Sequence, residues 1–252
     1  MINDRRGVSD VLAFTLIFGV MITSVGLMSV VGFDAIAGVN EHDQLSSAEG
    51  AMTELADQMT GIADHEAPVR STELRLRGAE VSLIDGPTVR LNVSVTDGPA
   101  WNETVDLGGV TYQLGDSEIA VVGGSVIRID GDHAVVLRDP PFMHIEDRSR
   151  LNLLSVRELR SGAADTAVTS VQIRSHHRHT RLVLPENLTR LTDAEHVGLS
   201  IEGDGPIADA WERYLERSDA WVWDDEFTEY RLTEFEDGVV IRMTRIGVQF
   251  IR

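Results

Sequence analysis

Histidine and acidic clusters are where this chain's residue types could do chemistry. His176, His177 and His179 stand in one short run. On a strand, side chains two apart share a face, so His177 and His179 would point the same way and could hold a metal given a third ligand. Arg174, Arg178 and Arg181 are interleaved with them, and their charge opposes a cation. The run therefore reads as a solvated edge or loop tip, and no metal is assigned. Asp130 with Asp132, Asp204, and Asp224-Asp225-Glu226 offer the oxygen ligands that calcium takes, but none has EF-hand spacing. Trp221 and Trp223 alternate beside the last of these clusters, after Trp211. Aromatics next to carboxylates can hold a sugar ring, but the favoured reading places these three in a core. No phosphate loop, dinucleotide fingerprint, nucleophile elbow or zinc-protease pair occurs. No catalytic residue and no cofactor are assigned.

A different chemistry is written in the sequons. Asn92-Val93-Ser94, Asn102-Glu103-Thr104 and Asn187-Leu188-Thr189 each fit the N-glycosylation acceptor pattern, which agrees with an exported protein. The charge balance excludes other functions. Asp plus Glu number 41 against 22 basic residues, all of them Arg, for a formal charge of −19. Nucleic acid is disfavoured as a partner, because phosphate contacts need a basic face. The acidic excess with no Lys and no Cys resembles the protein style of extreme halophiles. The absence of Cys also removes thiol nucleophiles and disulfides.

The elements that must position these residues begin with an uncharged run from Val11 to Phe33. As a helix it would extend about 34 Å, against a hydrocarbon core of about 30 Å. Arg5 and Arg6 flank one end, so the positive-inside rule predicts a single membrane pass with the bulk of the chain outside. Thr15, Gly19, Thr23 and Gly26 would line one face of that helix and permit close packing. Leu45, Ala48, Met52, Leu55, Met59 and Ile62 then alternate at spacings of three and four, which predicts a helical seam continuing to about Ile62, with Pro68 as a stop. Beyond it, period-two alternation such as Val89, Leu91, Val93 and Val95, broken by turns such as Gly123-Gly124 and Asp130-Gly131-Asp132, predicts short antiparallel strands. One helix, Ile207 to about Arg217, and a C-terminal hairpin of Tyr230–Phe235 with Val239–Phe250 complete the reading.

The segment Arg5-Arg6-Gly7-Val8-Ser9-Asp10-Val11-Leu12 resembles the class III prepilin-type signal of archaeal type IV pilins, haloarchaeal ones especially. The resemblance covers about 30 residues, with only the layout shared beyond them. It implies cleavage by a prepilin peptidase between Gly7 and Val8, with Arg5 and Arg6 as the leader charge. It also implies other pilin-like subunits as partners, in a homo-oligomer or filament.

The expected fold class is α+β: a long N-terminal transmembrane and stalk helix, then a mainly antiparallel, sandwich-like β head of two lobes with one short helix. The expected divisions are a leader over 1–7, a transmembrane or filament-core helix over 8–33 and a stalk helix over 34–67. Two β lobes follow, over 68–160 and 161–252. The expected function is that of a non-enzymatic cell-surface structural protein. The alternative is a membrane-anchored extracellular binding domain, an adhesin that does not polymerise.

Overall fold

The computed structural model describes residues 5–64, 66–95, 100–145, 148–159, 169–184, 194–233, 235 and 238–251; within these, the side chains of 5–11, 29–41 and 183–184 are left undescribed. The chain divides into two units, Met1–Ser47 and Ala48–Arg252.

Helix α1 (Arg5–Ala63) has residues in both units. In the first unit its large apolar side chains from Leu12 to Met28 are exposed, while Leu45 is buried. Among the described residues no helix is long and apolar enough to cross a membrane. The transmembrane helix expected over 8–33 is corrected accordingly, and with it the membrane-spanning part of the pilin layout. In the second unit α1 is no free stalk. Met52, Leu55, Ala56, Met59 and Ile62 are fully buried there, because a seam spaced three and four apart is stable only when covered.

The second unit is built from strands. They begin with β1 (Val69–Arg75), β2 (Glu80–Ile84), β3 (Thr88–Val95), β4 (Trp101–Asp106) and β5 (Gly109–Leu114). Next come β6 (Ser117–Val122), β7 (Ser125–Asp130), β8 (His133–Arg138), β9 (Phe142–Ile145) and β10 (Arg148–Glu158). Strands β11 (Ser170–Leu184) and β12 (Ala194–Glu202) precede helix α2 (Pro206–Arg217), which is followed by β13 (Trp221–Asp224), β14 (Glu229–Leu232) and β15 (Gly238–Ile251). The α+β class is thus corrected to a β-rich one.

Three five-stranded sheets result, in the orders β1-β11-β15-β10-β9, β13-β14-β12-β3-β4 and β2-β5-β6-β7-β8. Alternation explains the strands: Val89, Leu91 and Val93 are buried while Arg90 between them is exposed. The tight β6–β7 turn uses Gly123 and Gly124 at φ of +61° and +87°, as a two-residue hairpin requires.

Two further expectations are corrected. The sheets ignore a two-lobe division at residue 160, since β3 pairs with β12 and β10 with β15. A polar stretch marks a connection, whereas strand pairing follows the apolar faces that need cover. Leu91, Ile127, Leu151, Leu199, Trp211 and Ile241 accordingly share one core. The C-terminal hairpin does not form either: β14 pairs with β12 and β13, while β15 lies between β11 and, in parallel, β10. The reason lies in β15 itself. Val239 and Ile241, and then Ile246 and Val248, are buried at positions of opposite parity, so the strand needs cover on both faces.

Ion pairs hold the α1 segment of the second unit. Arg128 binds Glu49 at 2.7 Å and Arg138 binds Asp57 at 2.7 Å, while the Asn152 amide donates to Asp64 at 3.3 Å.

Candidate functional site

A nearly buried carboxylate sits on the second sheet. Leu91, Val93, Val197 and Leu199 turn inward to the core, so Asn92 and its register partner Gly198 face the other way. Glu229, at the start of β14, lies over Gly198 and is only 5% exposed. Glycine is required beneath it, because a Cβ at position 198 would overlap the Glu229 carboxylate. His196 Nε2 lies 2.6 Å from Glu229 Oε1, and the Asn92 amide donates to the same oxygen at 3.3 Å. A carboxylate this buried is tolerable only with such partners.

The β13–β14 turn covers the pair. Asp224 Oδ1 accepts from the backbone N–H of Glu226 at 3.0 Å, and the Thr228 N–H donates to the Asp224 carbonyl at 2.8 Å. Thr228 takes a left-handed φ of +57° to close the turn. Phe227 is thereby laid over the His196 ring, with 5.0 Å between centroids. Trp223 stays half exposed, its indole N–H donating to Asp225 at 2.8 Å and its ring edge-to-face with Tyr230 at 5.0 Å. Burial pushes the Tyr230 phenol up to about 12, helped by the charges of Glu216 and Glu212.

The site thus pairs a carboxylate with an imidazole under the Phe227 ring on one face of the sheet, whereas Trp223 and Tyr230, register partners, stand on the other face with Leu199. Ser94 stands opposite His196 in register, yet among the described residues no hydrogen bond joins them. The described residues also bring no three His, Asp or Glu side chains together as metal ligands.

The residues singled out from the sequence are scattered. Arg178 is inserted as a bulge in β11, so His177 opposes Ile246 while His179 opposes Arg245. Those partners are adjacent, hence the two histidines point to opposite faces and the shared face expected for them is corrected. His177 is bound to Thr180 at 2.8 Å. Asp130 accepts from Ser117 at 2.6 Å and Arg128 at 2.8 Å, and these two, the Ser117 hydroxyl first, hold its carboxyl below the usual range. Asp132 and Asp204 are exposed. Trp211 and Trp221 are core residues, whereas Trp223 is not. Thr15, Gly19, Thr23 and Gly26 are all exposed on α1, and the Thr23 hydroxyl donates to the Gly19 carbonyl at 2.8 Å. Arg5, Arg6, Gly7 and Val8 lie at the head of α1 with their side chains outside the described residues. Asn102 is exposed on the edge strand β4, Asn92 is engaged with Glu229, and Asn187 lies outside the described residues. The Glu229 cluster itself escaped sequence reasoning. Its one local signal is a glycine inside the strand Val197-Gly198-Leu199, which marks a close approach.

A β-rich unit with a buried carboxylate–imidazole pair defines a class only broadly. The chain belongs to DUF7289, a family of unknown function, which it matches over residues 6–248. No curated protein and no solved structure matches it.

Proposed function

We propose that this chain is a non-enzymatic structural subunit of the cell surface that assembles with like subunits through α1 and presents its β body outward. One observation carries the reading. Leu12, Phe14, Leu16, Ile17, Phe18 and Val20 begin a run of large apolar side chains, reaching Met28, that are 53–78% exposed. Exposed apolar side chains on every side of a helix call for cover in the working protein. Equivalent helices supply that cover, and a groove of about 330 Å³ lined by Thr15, Leu16, Gly19, Val20, Thr23 and Ser24 lets their backbones approach closely. The three sequons and the prepilin-like Arg5-Arg6-Gly7-Val8 support export and processing.

The test is the natively isolated protein, examined for its N-terminus and its sedimentation. A start at Val8 and pelleting as an assembly are expected. A start at Met1 with a monomer in solution would sink the proposal. The second reading, an adhesin-like binding domain, is favoured by the half-exposed Trp223, whose indole N–H donates to Asp225. Retention on immobilised glycans by a chain that never pellets would select it.

A further inference from the structure

The sheet formed by β1, β11, β15, β10 and β9 inverts the charge of the molecule. Its strands hold ten Arg and two Glu, in a chain of formal charge −19. Several of these cations share one face. Arg174 stands opposite Gln249, His176 opposite Gly247 and His179 opposite Arg245. Positions 245, 247 and 249 alternate to the same side of β15. The bulge residue Arg178 joins them, since its stem crosses Gly247 so closely that a Cβ there would come within 3.2 Å of Arg178 Cγ and Cδ. Arg178 and Arg245 are exposed, with no acidic partner among the described residues, and Arg174 donates only to Gln172. At the rim Arg157 is paired with Asp106 and Arg181 with Glu103, while Glu73 stands opposite Gln172 on the same face. Arg178, Arg245 and His179 are thus left exposed, with Arg174 half-buried beside them, while the His176 ring has its Nε2 buried.

The complementary surface is on the same chain. The segment from Glu202 to Glu226 carries nine carboxylates against Arg213 and Arg217. Asp209, Glu212 and Glu216 form an exposed row on α2.

We propose that the basic face of Arg174, Arg178 and Arg245, with His179, docks on the carboxylate surface of Glu202–Glu226 in a second copy of this chain. Two different patches meet in such a contact, so it is heterologous and propagates into an open assembly. It rests on the assembly reading above and adds to it a second, electrostatic joint between bodies.

The chain has no Cys, which makes directed crosslinking clean. Full-length Gln172→Cys, on the basic face, and Glu212→Cys, on α2, would be mixed and oxidised. A heterodimer in excess over both homodimers is expected. Its yield should fall about tenfold when Arg178→Glu and Arg245→Glu are added, two exposed pairs being reversed. It should return when Asp209→Arg and Glu216→Arg are placed on the partner. Statistical yields, a yield indifferent to these charges, or capture of polyglutamate without any self-crosslink would each overturn the contact. Pelleting is read separately. A chain that pellets without this crosslink keeps assembly through α1 and loses only this joint. A crosslink that forms in a chain whose α1 variants pellet unchanged keeps the joint and removes the α1 reading.

Discussion

One missing methyl group at residue 198 decides whether Glu229 can be buried. Alanine there would drive its Cβ into the carboxylate, so Gly198→Ala must displace Glu229 and break its bonds to His196 and Asn92. A loss of about 2–3 kcal/mol is expected in chemical denaturation. Gly50→Ala is the control: it meets open space on α1 and should be neutral or slightly stabilising. A loss no larger than the control's would mean that Glu229 moves freely. The same cluster bears on modification. Asn92 and Asn102 are register partners on one face, so glycans could not sit on both, and the Asn92 amide is already committed to Glu229. Peptide mapping of the native protein should find a glycan on Asn102 and none on Asn92; the reverse would mean that the Glu229 bond is not made in the cell. Both sequons could be read in the sequence. Which one is free could not, because the deciding partner lies 137 residues away and is brought near only by β12 and β14.

Among the elements, α1 and β15 show what periodicity can and cannot convey. The spacing of Met52, Leu55, Met59 and Ile62 announced a buried helical face, since a single helix writes its own pattern. The partner of β15 was hidden, because a strand apolar on both faces fits several neighbours equally, and a short apparent turn suggested the wrong one. Charged residues between elements were likewise readable by type and not by role. Asp130 has the side chain that calcium takes but belongs to the Arg128 clip that also takes in Glu49 of α1. Its carboxyl is depressed by Ser117 and then Arg128. The unfolded chain, with an ordinary Asp near 3.9, takes up that proton first as the pH falls. The stability contributed is therefore full above about pH 4 and lost as the pH drops through the folded value. Because Asp130 is half exposed, Asp130→Asn should cost under about 1 kcal/mol, or roughly 2–4 °C in Tm at neutral pH. The difference from the parent should vanish in acid. A difference that persists there would place the effect in packing and not in charge.

Taken as a whole, the molecule solves its burial problem in one unit and leaves it open in the other. From Ala48 onward the large apolar side chains of α1 are buried and flanked by ion pairs. From Leu12 to Met28 they are exposed, so this unit's apolar area stays in water until something covers it. A variant that touches only the second condition should separate the two. Leu16 and Val20 line the groove beside Gly19, and neither belongs to the β body. Leu16→Glu with Val20→Glu places two charges where equivalent helices would meet, and burying them unpaired would cost several kcal/mol per contact. Sedimentation should therefore shift from assembly to monomer, while the melting transition of the β body stays within about 1 °C of the parent, as befits substitutions outside its core. Gly19→Leu should do the same by bulk alone, holding the backbones apart without adding charge. If the charged pair disperses the assembly and Gly19→Leu does not, the helices meet along another face and the small residues are incidental. If neither has any effect, α1 is not the joint, and the exposed run from Leu12 needs a different cover.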